Sequence, residues 1–228
     1  MRDRWYGDKR DIVKWGALLA LARKRSIPTV LQVALYRPDR PSYKLTIDGG
    51  TEPLPVEVVR HFRNIDQIQE LATTAKVTID VHKDVFQRCP GFRGSREAFR
   101  KSYFDGVAER IEKYADPVIV FLDPDTGIAP RSYDYKHVTR LEIQTVLRAM
   151  KAGDVLVFYQ HARRGDRNWL NSTKIEFSQA VGPHVPVDTV TCNEIVNDVA
   201  FFVVDEWSKW VETPAKEAKA GTQEGAAN

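Results

Sequence analysis

Apolar side chains recur along this chain with two different rhythms, and the rhythm assigns most elements. Asp8 followed by KRDIVKWGALLALARKR reads as a capped helix, because its carboxylate can accept orphan backbone N–H groups and Asp11 suits the positive end of the dipole. Ile12, Trp15, Leu19 and Ala22, spaced three and four apart, are expected to share its buried face. TVLQVALY after Pro28 predicts a strand, and YKLTIDGG beyond the Pro38–Pro41 turn predicts a second that pairs with it or lies beside it. Residues 55–73 read as helical, KVTIDV (76–81) as a strand, and residues 94–115 as an amphipathic helix. Ser95 stands at the last helix's N-cap position, but Ala98 supplies no acidic partner for a capping box.

The second half is more regular. PVIVFLDPDTG (117–127) holds five successive apolar residues and then stops in acid, proline and glycine, the pattern of a strand buried on both faces. A helix at about 138–151 follows, then GDVLVFYQH (153–161) as another doubly buried strand, then a helix at about 167–181. Residues 187–205 read as two strands joined by a short loop. Strands alternating with helices and closed by a strand pair predict an α/β domain. Its sheet is open, Rossmann-like and mostly parallel, with a C-terminal antiparallel pair. We assign residues 1–212 to one domain and 213–228, small and polar, to a disordered tail.

Composition narrows the class without naming a function. At 228 residues, 43% apolar and 29% charged, the chain is neither collagen-like nor wholly disordered. Two cysteines, Cys89 and Cys192, make no disulfide framework and predict free thiols. The charged opening segment lacks the apolar core of a signal peptide, and no apolar run is long enough for a membrane span, so a cytoplasmic protein is expected. Net charge is only +3, but basic side chains are concentrated before residue 26 (Arg2, Arg4, Lys9, Arg10, Lys14, Arg23, Lys24 and Arg25), where an anionic partner would be attracted.

Ligands of open parallel sheets bind outside the carboxyl ends of the strands, near the switch in strand order. That rule selects Asp80 and His82, then Asp123, Asp125 and Thr126, then Tyr159, Gln160 and His161. Asp123 and His161 are expected to leave neighbouring strands and share a hollow. Gly127 would let backbone approach a ligand. Arg163, Arg164 and Arg167 follow His161 and suit phosphate groups.

Two segments resemble a known family. GDKRDIVKWGALLALA (7–22) and FLDPDTG resemble the opening helix and the Asp-Pro-Pro-Tyr signature of the bacterial ribosomal-RNA adenine-N6 methyltransferases, with GDVLVFYQH one helix later. The resemblance implies a methyltransferase-like fold and S-adenosylmethionine as cofactor. It places Gly7, Asp8, Asp11 and Lys14 near that cofactor and Asp123 at the substrate amine. Two features depart from the family. No glycine follows the first strand in TVLQVALYRPDRPS, and Asp125-Thr126 replaces Pro-Tyr, removing the aromatic that would stack on a flipped base.

Three functions are therefore open on sequence alone. The first is a methyltransferase-like enzyme acting on nucleic acid, with Asp123 at the amine and Arg163, Arg164 and Arg167 on phosphates. The second is a metal-dependent nuclease or phosphoesterase in which Asp123, Asp125 and His161 ligate Mg²⁺ or Mn²⁺. The third is a catalytically silent module that binds nucleic acid or protein.

Overall fold

The computed structural model describes residues 7–37, 44–47, 50–53, 67–87 and 93–205. Arg2, Arg4, Cys89, most of the helix expected over 55–73 and the tail from 213 lie outside them. The elements follow in the order α1 (Lys9–Arg25), β1 (Thr29–Val33), β2 (Lys44–Ile47), β3 (Gly50–Pro53), α2 (Ile68–Ala75), β4 (Thr78–His82) and α3 (Arg96–Glu112). Then come β5 (Ile119–Leu122), β6 (Gly127–Ile128), β7 (His137–Val138), α4 (Arg140–Ala149), β8 (Val155–His161), α5 (Trp169–Val181), β9 (Asp188–Cys192) and β10 (Val196–Val204).

Six strands form the main sheet in the order β4-β1-β5-β8-β10-β9. The first four are mutually parallel, and β10 is antiparallel to both β8 and β9. The expected α/β class, parallel sheet and antiparallel end are all present. The strand predicted at YKLTIDGG does not join β1. It closes a separate antiparallel hairpin with β3, its register running from Lys44↔Pro53 to Ile47↔Gly50.

Because side chains alternate across a strand, the sheet divides its core in two. Leu31, Val120, Leu156, Phe158 and Phe202 point to the face covered by α3, α4 and α5. Val30, Ile119, Phe121, Val157, Tyr159 and Phe201 point to the face covered by α1 and α2. Each fully buried aromatic contributes roughly 2–3 kcal/mol of transfer free energy. The same alternation carries on past the apolar residues, so Gln32, Asp123 and His161 fall on the α1 face.

Helix α1 is capped as its sequence predicts: the Asp8 side chain accepts from the backbone N–H of Arg10 and Asp11. Its buried face differs from the predicted one. Trp15 and Ala22 are buried, but Ile12 is 61% exposed, and the inward stripe runs through Asp11, Lys14, Trp15, Leu18 and Ala22. Two charged residues occupy positions where periodicity alone would put hydrocarbon, because they face the site rather than the core. Arg10 pairs with Asp198 and Arg25 pairs with Asp205, so α1 is tied to β10 near both its ends. Fifteen residues of helix rise about 22 Å and seven of strand about 24 Å, so the two runs match in length.

The other helix boundaries follow local chemistry. The Ser95 hydroxyl accepts from Ala98 N–H at the start of α3. Thr139 and Glu142 form a complete capping box on α4. Glu142 also receives a bidentate pair from Arg100 at 2.6 and 2.7 Å, and both residues are buried. Phe86 lies 4.8 Å beneath the Arg100 guanidinium.

Candidate active site at the switch in strand order

From β1 the chain crosses to β4 on one side and later returns to β5 on the other, so strand order reverses between β1 and β5. Gln32 stands one residue before the end of β1, and Asp123 immediately follows β5. Above them lies a cavity of about 270 Å³ lined by Asp8, Arg10, Asp11, Lys14, Asp123, Pro124, Asp125, Tyr159 and His161. The expected sharing of one hollow by Asp123 and His161 is what the structure shows.

Lys14 is the centre of the floor. Its Nζ lies 2.6 Å from Asp11 Oδ1 and 3.1 Å from Asp123 Oδ2, and all three side chains are almost wholly buried. Burial alone would push the Lys14 ammonium down, but the Asp123 and Asp11 carboxylates outweigh it and hold the group well above its ordinary range. Phe121 and Tyr159 rings stand 6.0 and 5.6 Å from the same nitrogen. Gly7 N–H donates to Asp11 Oδ2 at 2.7 Å, which fixes the second oxygen of that carboxylate.

Asp123 is oriented from two directions. Gln32 Nε2 donates to Oδ2 at 2.7 Å, and Lys14 donates to the same atom. Both contacts are to Oδ2, which leaves Oδ1 outside this pair. Sequence reasoning missed Gln32: a lone polar residue in an apolar run gave no signal beyond its place on the α1 face.

His161 lies at the rim. Its Nε2 is 3.4 Å from Asp198 Oδ2, on the carboxylate that Arg10 also holds. Burial works against the charged carboxylate, yet Arg10 and His161 keep Asp198 below the usual range.

Other candidates are placed differently. Asp125 lines the cavity, but its carboxylate is paired with the buried Arg37, so the two acids of Asp-Pro-Asp are each matched to a separate cation. Arg163 makes a bidentate pair with Glu176 at 2.7 and 2.6 Å, whereas Arg164 and Arg167 are exposed. Asp80 accepts from the Tyr114 hydroxyl, and His82 is buried edge-on to Tyr103. Among the described residues, no three His, Cys, Asp or Glu side chains are grouped to hold a metal ion.

Two backbone positions near the site take a positive φ. Gly127 has the expected positive φ, 121°, and a Cβ there would collide with the Gln160 amide. That amide accepts from Ile128 N–H at 2.9 Å and donates to the Thr126 and His161 carbonyls. At the exit of β1, Leu35 takes a positive φ of 44° and is 1% exposed. This left-handed turn is made without glycine, the residue that adopts it most easily.

No protein-family model, curated protein or solved structure matches the chain. No described helix is long and apolar enough to cross a membrane.

Proposed function

We propose that this chain is a methyltransferase-like enzyme that modifies an amine of nucleic acid, with Asp123 at the reacting nitrogen. One observation carries the reading: a buried carboxylate at the switch in strand order lines the cavity and has one oxygen fixed by both Lys14 and Gln32. A carboxylate held this way accepts an amine N–H and turns the nitrogen lone pair toward an electrophile, a positioning effect. Asp123 Oδ1 is also the near acceptor for the proton that the amine loses.

The Rossmann-like sheet, the antiparallel end and the resemblance of α1 and the Asp-Pro-Asp segment support S-adenosylmethionine as the methyl source. The resemblance places Gly7, Asp8, Asp11 and Lys14 near that cofactor, and three of them, Asp8, Asp11 and Lys14, line the cavity. When bound, that cofactor supplies a methyl group on a cationic sulfur. Arg164 and Arg167, exposed three and six residues beyond the His161 rim, suit phosphates of a nucleic-acid strand. Arg163, already engaged by Glu176, drops out of that role. The pairing of Asp125 with Arg37 favours this reading over a metal site built from Asp123, Asp125 and His161.

The test combines binding with turnover. S-adenosylmethionine should raise the melting temperature by mass action, and isotopically labelled methyl should appear in DNA or RNA. Asp123→Asn should retain the fold and lose roughly 100-fold or more of the transfer rate. Absence of both a thermal shift and transfer, across single- and double-stranded substrates, overturns the proposal.

A further inference from the structure

Tyr159 lines the cavity, and its hydroxyl takes no part in the network around Lys14. It is 6% exposed and packs edge-on to Phe201 with ring centroids 5.8 Å apart. Its hydroxyl makes no hydrogen bond among the described residues, in a cavity whose other polar side chains are held by ion pairs or caps. A phenol whose ring is buried and whose hydroxyl is unbonded beside a cavity offers a donor that a ligand there can use.

Its position relative to Asp123 is fixed by the sheet. Leu122 is in register with Phe158, so the next residues, Asp123 and Tyr159, fall side by side on the α1 face, one strand spacing of about 4.8 Å apart. Burial and the nearby carboxylate of Asp123 push the Tyr159 phenol up against the opposing pull of Lys14, so it remains a protonated donor. The wall thus presents an acceptor, Asp123 Oδ1, beside a donor, the Tyr159 hydroxyl.

We infer that Tyr159 is a substrate-binding residue that donates to the ring nitrogen adjoining the amine held by Asp123. The ligand class is then a heteroaromatic ring bearing H₂N–C=N, in which amine donor and ring acceptor are neighbours. Adenine and cytosine carry that edge. Hypoxanthine and uracil place a carbonyl where the amine should be and a protonated nitrogen where the acceptor should be, which sets lone pair against carboxylate. The inference rests on the proposed function for its choice of nucleobases, and it adds the residue that selects among them.

Titration of the full-length protein with free nucleosides tests it. Adenosine or cytidine should bind, each measured separately so that the preferred base is read directly, while inosine and uridine should bind at least tenfold more weakly. Tyr159→Phe keeps the ring against Phe201 and should lose roughly tenfold in affinity, the scale of one neutral hydrogen bond. Removing the partner from the ligand gives a second measurement that does not depend on how the variant folds. Wild-type protein should bind 1-deazaadenosine, or 3-deazacytidine, roughly tenfold more weakly than the parent nucleoside, and Tyr159→Phe should not distinguish the two.

Equal binding of parent and deaza nucleosides to wild type overturns the inference. So does unchanged affinity in Tyr159→Phe, or no nucleoside binding at millimolar concentration. Tyr159-dependent binding without methyl transfer leaves this inference standing and removes the transferase reading. Transfer that is indifferent to Tyr159→Phe does the reverse.

Discussion

Lys14 and Asp123, 109 positions apart in the chain, meet at 3.1 Å beneath the cavity. With Asp11 the cluster holds two carboxylates and one ammonium, so removing the ammonium leaves two buried negative charges facing each other. Lys14→Met is therefore expected to destabilise the fold by about 3–5 kcal/mol, the range for orphaning a buried ion pair. Urea denaturation measures it, and adding Asp11→Asn to Lys14→Met should recover part of the loss. Because the Lys14 ammonium is held above its unfolded value, its contribution is complete below about pH 10 and fades only as pH rises through the folded value.

Acid should weaken the protein before its carboxylates titrate. Burial lowers the His82 imidazole, with Asp84 opposing and Arg110 assisting, and burial likewise lowers His137 against the pull of Asp134. A histidine lowered by folding takes up its proton more readily in the unfolded chain. Stability from these two groups is thus complete above about pH 6.5 and is lost as pH falls below it. The urea midpoint should drop between pH 7.5 and pH 5.5, and His82→Phe should flatten that slope. A midpoint flat over this interval in the wild type contradicts the assignment.

Gly127→Ala combines a left-handed backbone with a collision against Gln160. A loss of about 2–4 kcal/mol is expected from strain and displaced hydrogen bonds together. Pairing it with Gln160→Ala should relieve the collision and leave the backbone component, so the double variant will lose less than the sum of the singles.

Arg100→Lys tests the clamp between α3 and α4. Lysine keeps the charge but cannot bridge both Glu142 oxygens while reaching the His137 and Asp134 carbonyls that Arg100 also serves. The expected cost is about 2–3 kcal/mol with no change in nucleoside affinity, since the clamp lies on the opposite face of the sheet from the cavity. A fall in affinity equal to the fall in stability would tie the clamp to the site.

Much of the α/β fold is legible in the chain. The apolar run 118–122 reads as a strand buried on both faces, and Asp8 before KRDIVKWG reads as a helix start; the structure has both. Asp123 and His161 then follow from the rule that strand ends carry the chemistry. Ile12 was misplaced because Asp11 and Lys14 displace hydrocarbon from the inward stripe, and period alone cannot tell a core position from a site position. Gln32 and Arg37 stayed hidden because their partners, Asp123 and Asp125, lie 91 and 88 residues further on, and no local pattern encodes such a pairing. The contact of Gly127 with Gln160 is equally hidden, because Gln160 comes from another strand.

The two ion pairs that lash α1 along β10 carry a consequence for how the polypeptide can be divided. Arg10 grips Asp198, Arg25 grips Asp205, and Trp15, Leu18 and Ala22 seal the seam, while the only covalent tether leaves through Ser26 in an exposed left-handed turn. Nicking the backbone at that turn would separate a short N-terminal peptide from the remainder without removing the grip. The two pieces, mixed, should reassemble and regain nucleoside binding, making this a natural place to split the protein into complementing fragments.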